Sequence, residues 1–273
     1  MKEITTRAIS GALYIILLIG TIFWQEASVV LLFLFGIICL IEFNKLINLR
    51  NRVSFVIYIL LYGGISYWSI FSDIKTGSNE AIQILLVITI FVNLLLMKDL
   101  FSEKVIPLFS SKRYLLTTFY LSSGFLFLVL ISNFDDEFSP LLLLGCFILI
   151  WVNDSFAYLV GKNFGKQKLF PRISPKKTVE GFLGGLFFSC IASFFISVYT
   201  HELTFNSWLI LAIIVSVFGT LGDLIESKFK RQAEVKDSGI IMPGHGGLLD
   251  RLDSIIFAAP FIYLFIRLFN YVS

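Results

Sequence analysis

The feature that most constrains this chain is a series of nine long apolar segments. A membrane-spanning helix requires about 20 mostly apolar residues, with a range of roughly 17 to 25. The segments are residues 6–23, 27–43, 53–71, 81–97, 114–132, 141–160, 178–199, 207–225 and 252–270. They are apolar on all sides, whereas the strands of a membrane barrel alternate apolar and polar residues. The sequence therefore predicts an all-α, polytopic transmembrane helical bundle with about nine spanning helices.

Composition supports a membrane protein. The chain is 57% hydrophobic and only 15% charged, whereas soluble domains carry about 25% charged residues. We expect one membrane-embedded domain over residues 1–273, in which residues 1–140 supply scaffold helices. Residues 141–273 carry most of the polar motifs and are expected to supply the site. The net charge of +3 is small, and no nucleic-acid partner is expected.

The lysines and arginines predict how the chain is oriented. With the N-terminus in the cytoplasm, all of the 22 Lys and Arg residues except Lys75 and Arg267 fall on the cytoplasmic side. Such an excess of positive charge is typical of cytoplasmic loops. The two longest of these loops are residues 161–177 and 226–251. We therefore expect a multi-pass protein of a bacterial-type cytoplasmic membrane, with its site on the cytoplasmic side.

Four acids occur at or near membrane depth: Asp154, Glu180, Asp223 and Asp253. A carboxylate in hydrocarbon is unfavourable by at least about 2.5 kcal/mol on insertion scales. These side chains should therefore face the bundle interior, a cavity or a positive charge, unless they reach water from a helix end. Glu42, at the inner end of the second segment, is interpreted as such a helix-end side chain.

A basic motif precedes the seventh segment. Pro175 suits the first turn of a helix, where its missing N–H is tolerated, and Ser174 before it suits the N-cap. Lys176 and Lys177 would then add two ammonium groups to the free N–H groups of a helix start, which predicts an anion site. The alternative is a basic loop that only fixes topology.

A small-residue motif lies just before it. Ala157, Gly161 and Gly165 are four residues apart, which places them on one helix face and favours close helix packing. The segment is not a Walker A loop, because Gln167 stands where Ser or Thr would be required.

Two acid pairs flank the last cytoplasmic loop. Asp223 with Glu226, and Asp250 with Asp253, are three residues apart and share a helix face. An antiparallel return would bring Asp223 and Asp250 to the same membrane face. Oxygen ligands of this kind suit Mg²⁺, which takes one or two carboxylates together with phosphates and water. The chemistry indicated is that of a Mg²⁺–nucleotide and a membrane-embedded phosphate, with neither the base nor the lipid specified.

Residues 227–253 carry the most specific motif of the chain. It comprises Ser227, Phe229, Lys230-Arg231, Lys236-Asp237, Gly239, Pro243, His245-Gly246-Gly247, Asp250-Arg251, Leu252 and Asp253. This run resembles the signature of the phosphatidate cytidylyltransferase family, with Met242 as a mild departure from its usual Leu, Ile or Phe. The segments around Asp154 and Ser174 also resemble motifs of that family.

The resemblance implies an enzyme of phospholipid biosynthesis that transfers CMP from CTP to phosphatidic acid, giving CDP-diacylglycerol and pyrophosphate. It implies a Mg²⁺ cofactor, held by Asp223 and Asp250, and leaves open a second metal or monovalent cation. It also implies membrane lipid as a partner and a homodimer as an open expectation. The expected catalytic group is Asp223, Asp250, Lys230, Arg231 and Arg251. The expected substrate-binding group is Asp154, Ser174, Lys176, Lys177, Thr178, Glu180, Lys236, Asp237, His245, Gly246, Gly247 and Asp253.

Two other functions stay open. A CTP-dependent lipid or polyprenol kinase would also use CTP but would transfer its γ-phosphate and release CDP. An ion or solute transporter would use the intramembrane acids, although a transporter more often shows matching broken helices in two halves. His245 has no second His or Cys nearby, so a zinc site is not expected there.

Overall fold

The computed structural model describes residues 2–72, 76–134, 137–244 and 246–272, and within these ranges the side chains of residues 9–269. This part of the chain forms nine helices and one β-hairpin. The helices are α1 (Lys2–Ile22), α2 (Gln25–Leu46), α3 (Val53–Phe71), α4 (Ser78–Phe101), α5 (Ser110–Ser132), α6 (Pro140–Phe164), α7 (Val179–Thr200), α8 (Phe205–Gln232) and α9 (Leu249–Val272). The hairpin pairs β1 (Lys168–Phe170) antiparallel to β2 (Ser174–Thr178).

The helices have the dimensions of a membrane bundle. Among the described residues, the eight helices α2–α9 are long and apolar enough to cross a membrane, while the described apolar part of α1, Ile9–Ile22, is shorter. Large apolar side chains such as Leu13, Phe91 and Phe187 point outward and are exposed, as lipid contact requires. The predicted polytopic helical bundle is confirmed, and the chain is a multi-pass membrane protein.

The core lies between α5 and α9. Phe125 and Phe127 of α5 are fully buried, as is Phe257 of α9. Gly124 permits the approach of the two helices, because a Cβ at this position would lie only 2.8 Å from the carbonyl oxygen of Ile256. In lipid, such close van der Waals packing replaces the hydrophobic effect as the force between helices.

Small residues also bring α6 and α7 together. A Cβ on Gly181 would lie 2.7 Å from the carbonyl oxygen of Ala157 and 3.1 Å from the Cα of Gly161. A Cβ on Gly185 would lie 2.7 Å from the carbonyl oxygen of Asn153. The close packing expected from the spacing of Ala157 and Gly161 is confirmed, whereas Gly165 is not on the helix face, because α6 ends at Phe164 and Gly165 is extended.

Several boundaries differ from the prediction. The loop expected over residues 226–251 is shorter, because α8 continues to Gln232 and α9 begins at Leu249. The extra turns of α8 are stable because Glu226 and Lys230 form an i,i+4 ion pair and Phe229 is buried. The hairpin, which no apolar pattern indicated, occupies most of the predicted loop at residues 161–177.

Candidate active site

Charged side chains from several elements meet at one end of the bundle. Lys177 of β2 pairs with Asp223 of α8, and Lys230 of α8 pairs with Asp250 in the first turn of α9. Glu42 reaches the same region from α2. The antiparallel return of α8 and α9 therefore gathers the acids and bases that the sequence analysis singled out.

The first ion pair joins the hairpin to α8. Lys177 Nζ lies 2.5 Å from Asp223 Oδ2, and the two side chains are 28% and 31% exposed. Ser227, one turn further along α8, donates its hydroxyl to Asp223 Oδ1 at 3.1 Å. Burial alone would lower the pKa of Lys177, but the carboxylates of Asp223, Asp154 and Asp253 together outweigh that effect and raise the pKa above its ordinary value. Lys177 is therefore a protonated cation beside a partly exposed carboxylate.

The second cation, Lys230, bridges two acids. Its ammonium group lies 2.7 Å from Asp250 Oδ1 and also forms an ion pair with Glu226. The side chain is only 10% exposed and Glu226 is fully buried. Next to Lys230 on α8, the ring of Phe229 packs edge-on against Phe43 of α2. A charge group so poorly hydrated is stabilised only as long as all its partners are present.

Asp250 organises the loop that precedes α9. Its oxygens accept the backbone N–H groups of Gly247 at 2.7 Å and Ser238 at 3.0 Å, in addition to the Lys230 ammonium. Gly246 has a φ of 88°, and a Cβ there would lie 2.6 Å from Asp250 Oδ2. Glycine at this position therefore lets the loop close tightly over the carboxylate.

Glu42 is a site residue that sequence reasoning missed. The carboxylate is 1% exposed, so its interpretation as a helix-end side chain reaching water is wrong. It accepts the N–H groups of Leu248 at 3.2 Å and Leu249 at 2.8 Å, and the hydroxyl of Ser238 at 3.3 Å. A Cβ on Gly247 would lie 2.6 Å from Glu42 Oε2. Glu42 thus satisfies the free N–H groups at the start of α9 from a helix some 200 residues away in sequence.

Asp154 and Asp253 extend the negative side of the site. Asp154 interacts electrostatically with Asp223 and Lys177. Asp253 interacts with Asp223, Lys230 and Lys177. Both acids therefore have Lys177 as a counter-charge, and Asp253 has Lys230 as well, as expected of carboxylates at this depth.

The basic motif is built differently from the prediction. Ser174 does not cap a helix, because residues 174–178 form β2 and α7 starts at Val179. Thr178 is the N-cap instead, and its hydroxyl accepts the Gly181 N–H at 3.1 Å. The physical reason is pairing with β1, which keeps residues 174–178 extended and so delays the helix start to Val179. In the strand, successive side chains point to opposite faces, so Lys176 is exposed while Lys177 meets Asp223. The expected convergence of both lysines on a helix start is therefore wrong.

Glu180 supports the hairpin. Its carboxylate accepts the backbone N–H groups of Lys166 at 2.9 Å and Gln167 at 3.2 Å. These contacts join the residues that lead into β1 to the first turn of α7. Its predicted part in substrate binding stays a prediction.

Three more of the predicted site residues lie at the end of α8 and in the loop that follows it. Arg231 donates to the carbonyl oxygens of Ile173 at 3.3 Å and Val235 at 3.1 Å, and so ties the hairpin to the loop after α8. Lys236 and Asp237 are exposed on that loop.

Two further positions complete the predicted set. Arg251 is exposed in the first turn of α9 and interacts electrostatically with Asp154. His245 lies outside the described residues.

The carboxylates of the site differ in how well they fit Mg²⁺. No group of three or more His, Cys, Asp or Glu residues within the described ranges has the arrangement of a metal site, but Mg²⁺ commonly takes only one or two carboxylates. Asp223 fits, because its oxygens accept only Ser227 and Lys177 and the side chain is partly exposed. The oxygens of Asp250 already accept three N–H donors. The assignment of both residues as ligands stays a prediction.

Fold and site together define a class of protein: a multi-pass membrane protein with paired lysines and carboxylates at one end of its bundle, an arrangement suited to phosphate chemistry. Comparison with known proteins identifies the family. The family model described as "Cytidylyltransferase family" matches residues 5–269, and the chain belongs to this family.

Individual relatives agree. The chain is 36% identical over 240 residues to the phosphatidate cytidylyltransferase of Staphylococcus aureus (strain COL), covering 87% of this chain and 90% of that protein. It is 45% identical over 156 residues to the phosphatidate cytidylyltransferase of Bacillus subtilis (strain 168), an alignment that spans 57% of this chain and 58% of that relative. The resemblance carried by residues 227–253 is confirmed.

The Glu42 contacts generate a prediction. Glu42→Gln keeps the size of the side chain but replaces one accepting oxygen by an amide that faces N–H and O–H donors. Buried hydrogen bonds to a charged group contribute about 1.5–3 kcal/mol, so we expect a lower melting temperature and a lower kcat, measured on purified protein.

The matched control is Glu26→Gln, which changes an exposed glutamate in the first turn of the same helix and should leave both values unchanged. Full activity and stability in Glu42→Gln would show that this carboxylate does not position the loop.

Proposed function

We propose that this chain is a CTP:phosphatidate cytidylyltransferase, which transfers CMP from CTP to phosphatidic acid and releases pyrophosphate. The observation that carries the proposal is the pair of lysine–aspartate contacts, Lys177–Asp223 and Lys230–Asp250. They join three separate segments at one end of a membrane bundle. Family membership over residues 5–269 and the names of the relatives support the reaction.

The site supplies what such a transfer requires. An oxygen of the lipid phosphate attacks the α-phosphorus of CTP, a new O–P bond forms, and the bond between the α- and β-phosphates breaks. Chemistry of this kind depends mostly on positioning and charge stabilisation. No covalent intermediate on the protein is required.

Each side chain has a part in this proposal. Lys177 and Lys230 are held ready by carboxylates and would turn toward phosphate oxygens when substrates bind. Asp223 and Asp250 are the residues proposed to hold Mg²⁺, which when bound would neutralise negative charge on the triphosphate. The loop at Gly246 and Gly247 keeps small residues beside Asp250, which allows a phosphate to approach the backbone.

Labelled CTP tests the reaction. With phosphatidic acid as acceptor, purified protein should place the label of α-³²P-CTP in the lipid, while γ-³²P appears in pyrophosphate. Thin-layer chromatography of the lipid extract measures the first, and chromatography of the aqueous phase measures the second. Label entering the lipid from the γ-position would establish a CTP-dependent lipid kinase, and absence of label from either position would favour a transporter.

Asp223→Asn tests the site. The variant keeps the shape and the Ser227 contact but loses the charge that holds Lys177 and attracts Mg²⁺. Loss of one electrostatic element commonly lowers the rate by about 10²-fold or more, so we expect a folded but nearly inactive protein, measured as kcat at saturating CTP and Mg²⁺.

Asp99→Asn is the matched control, since Asp99 forms a similar part-buried pair with Lys112 at 2.6 Å on other helices. It should retain kcat. Well-folded Asp223→Asn with more than about a tenth of the parental kcat would contradict the assignment, judged against the same expected loss.

We further infer that the site faces the cytoplasm, because 20 of the 22 Lys and Arg residues fall on its side of the bundle in the predicted topology. In a cysteine-free background, Lys168→Cys in the hairpin should be protected from an impermeant thiol reagent in intact cells, whereas Glu202→Cys at the opposite end should react. The reverse pattern would invert the orientation. The homodimer and any second cation stay predictions.

A further inference from the structure

A polar cavity lies outside the candidate active site, at the end of α2. Its volume is about 430 Å³. The walls come from the last turn of α2, the following turn and the start of α3. The polar residues that line it are Asn44, Lys45, Asn48, Arg50, Asn51 and Arg52.

The turn that forms this cavity is held in place by hydrogen bonds. Asn48 adopts a left-handed conformation with a φ of 52°. The Leu49 N–H donates to the Asn44 carbonyl at 2.8 Å and the Asn48 N–H to the Lys45 carbonyl at 3.2 Å, which is the pattern of a Schellman helix end. Arg113 of α5 donates to the Asn48 carbonyl at 3.1 Å. The concavity is therefore a fixed part of the fold.

The cavity carries three positive charges. Lys45, Arg50 and Arg52 are all exposed. Within the described residues, none of these three side chains forms an ion pair. Three cations around one concavity attract an anion of multiple charge or a phosphate with several oxygens.

Asn44 adds an independent observation. The side chain is only 6% exposed, and its amide nitrogen donates to the Ser54 hydroxyl at 2.9 Å. Its amide oxygen is buried and accepts no hydrogen bond from the described residues. A buried acceptor without a donor is unfavourable, so a ligand with a hydroxyl group would complete this wall of the cavity.

Apolar side chains beside the cavity indicate where the ligand comes from. Ile41 and Phe55 line it as well, and Val53 next to it is 45% exposed. These residues belong to membrane-spanning helices, so the cavity opens at the depth of lipid headgroups. Basic pockets of this kind between transmembrane helices bind the headgroups of anionic lipids.

We propose that this cavity binds an anionic glycerophospholipid. Lys45, Arg50 and Arg52 hold its phosphate, a headgroup hydroxyl donates to the Asn44 carbonyl oxygen, and the acyl chains lie along Ile41 and Val53. The proposal does not depend on the reaction proposed above, because none of these residues belongs to the candidate active site. Glu42 lies one turn before Lys45 on α2. The cavity is therefore next to the helix segment that supports the Asp250 loop.

Native mass spectrometry of the purified full-length chain in detergent, titrated with phosphatidylglycerol, tests the proposal. The double variant Lys45→Gln with Arg52→Gln should bind this lipid roughly 30-fold more weakly, since each basic residue near a membrane surface contributes about 1 kcal/mol. Phosphatidylcholine, which lacks net charge and hydroxyl donors in its headgroup, should bind weakly to parent and variant alike.

The control variant Lys98→Gln with Lys104→Gln removes two exposed lysines elsewhere on the same predicted membrane side and should keep parental affinity. An equal loss in this control would show general surface attraction and overturn the site. Parental affinity in the Lys45/Arg52 variant would overturn it as well. Displacement of the lipid by excess inorganic phosphate would identify a free-phosphate site and contradict the lipid as occupant.

Discussion

The structure of the site depends on the neutralisation of charges that are largely removed from water. Lys230, 10% exposed, contacts Asp250 and a fully buried Glu226, and it thereby joins α8 to the first turn of α9. Removing one partner from such a group leaves an uncompensated charge, which is strongly destabilising. The pairing therefore fixes both the ends of these helices and the relative positions of the groups proposed to bind phosphates.

The hairpin depends on the same principle. Lys177 is the second cation of the site. Its ion pair with Asp223 holds the hairpin against α8. Close packing of α6 against α7, through glycines such as Gly161 and Gly181, sets where the hairpin begins and ends. The small residues that allow helices to pack in lipid thus also determine where a polar loop meets the charged end of the bundle.

The N-terminal helices do more than support the fold. Glu42 of α2 accepts hydrogen bonds from Ser238 and from the start of α9, so a helix expected to act as scaffold contributes directly to the loop of Asp250. The adjacent turn at Asn48 forms the basic cavity. A ligand bound there would contact the same helix end that carries Glu42, which is a direct physical connection between the lipid surface and the site.

The sequence by itself determined the membrane bundle, since segment length and composition are local properties, and the acids and lysines of the site, since charges are rare in spanning helices. The motif at residues 227–253 also determined the family. Only the tertiary structure decided that Thr178 rather than Ser174 caps α7, because strand pairing with β1 outweighed the local helix-start signal. It alone decided the role of Glu42, because no local pattern relates this residue to Leu249, and their contact follows from the packing of distant helices.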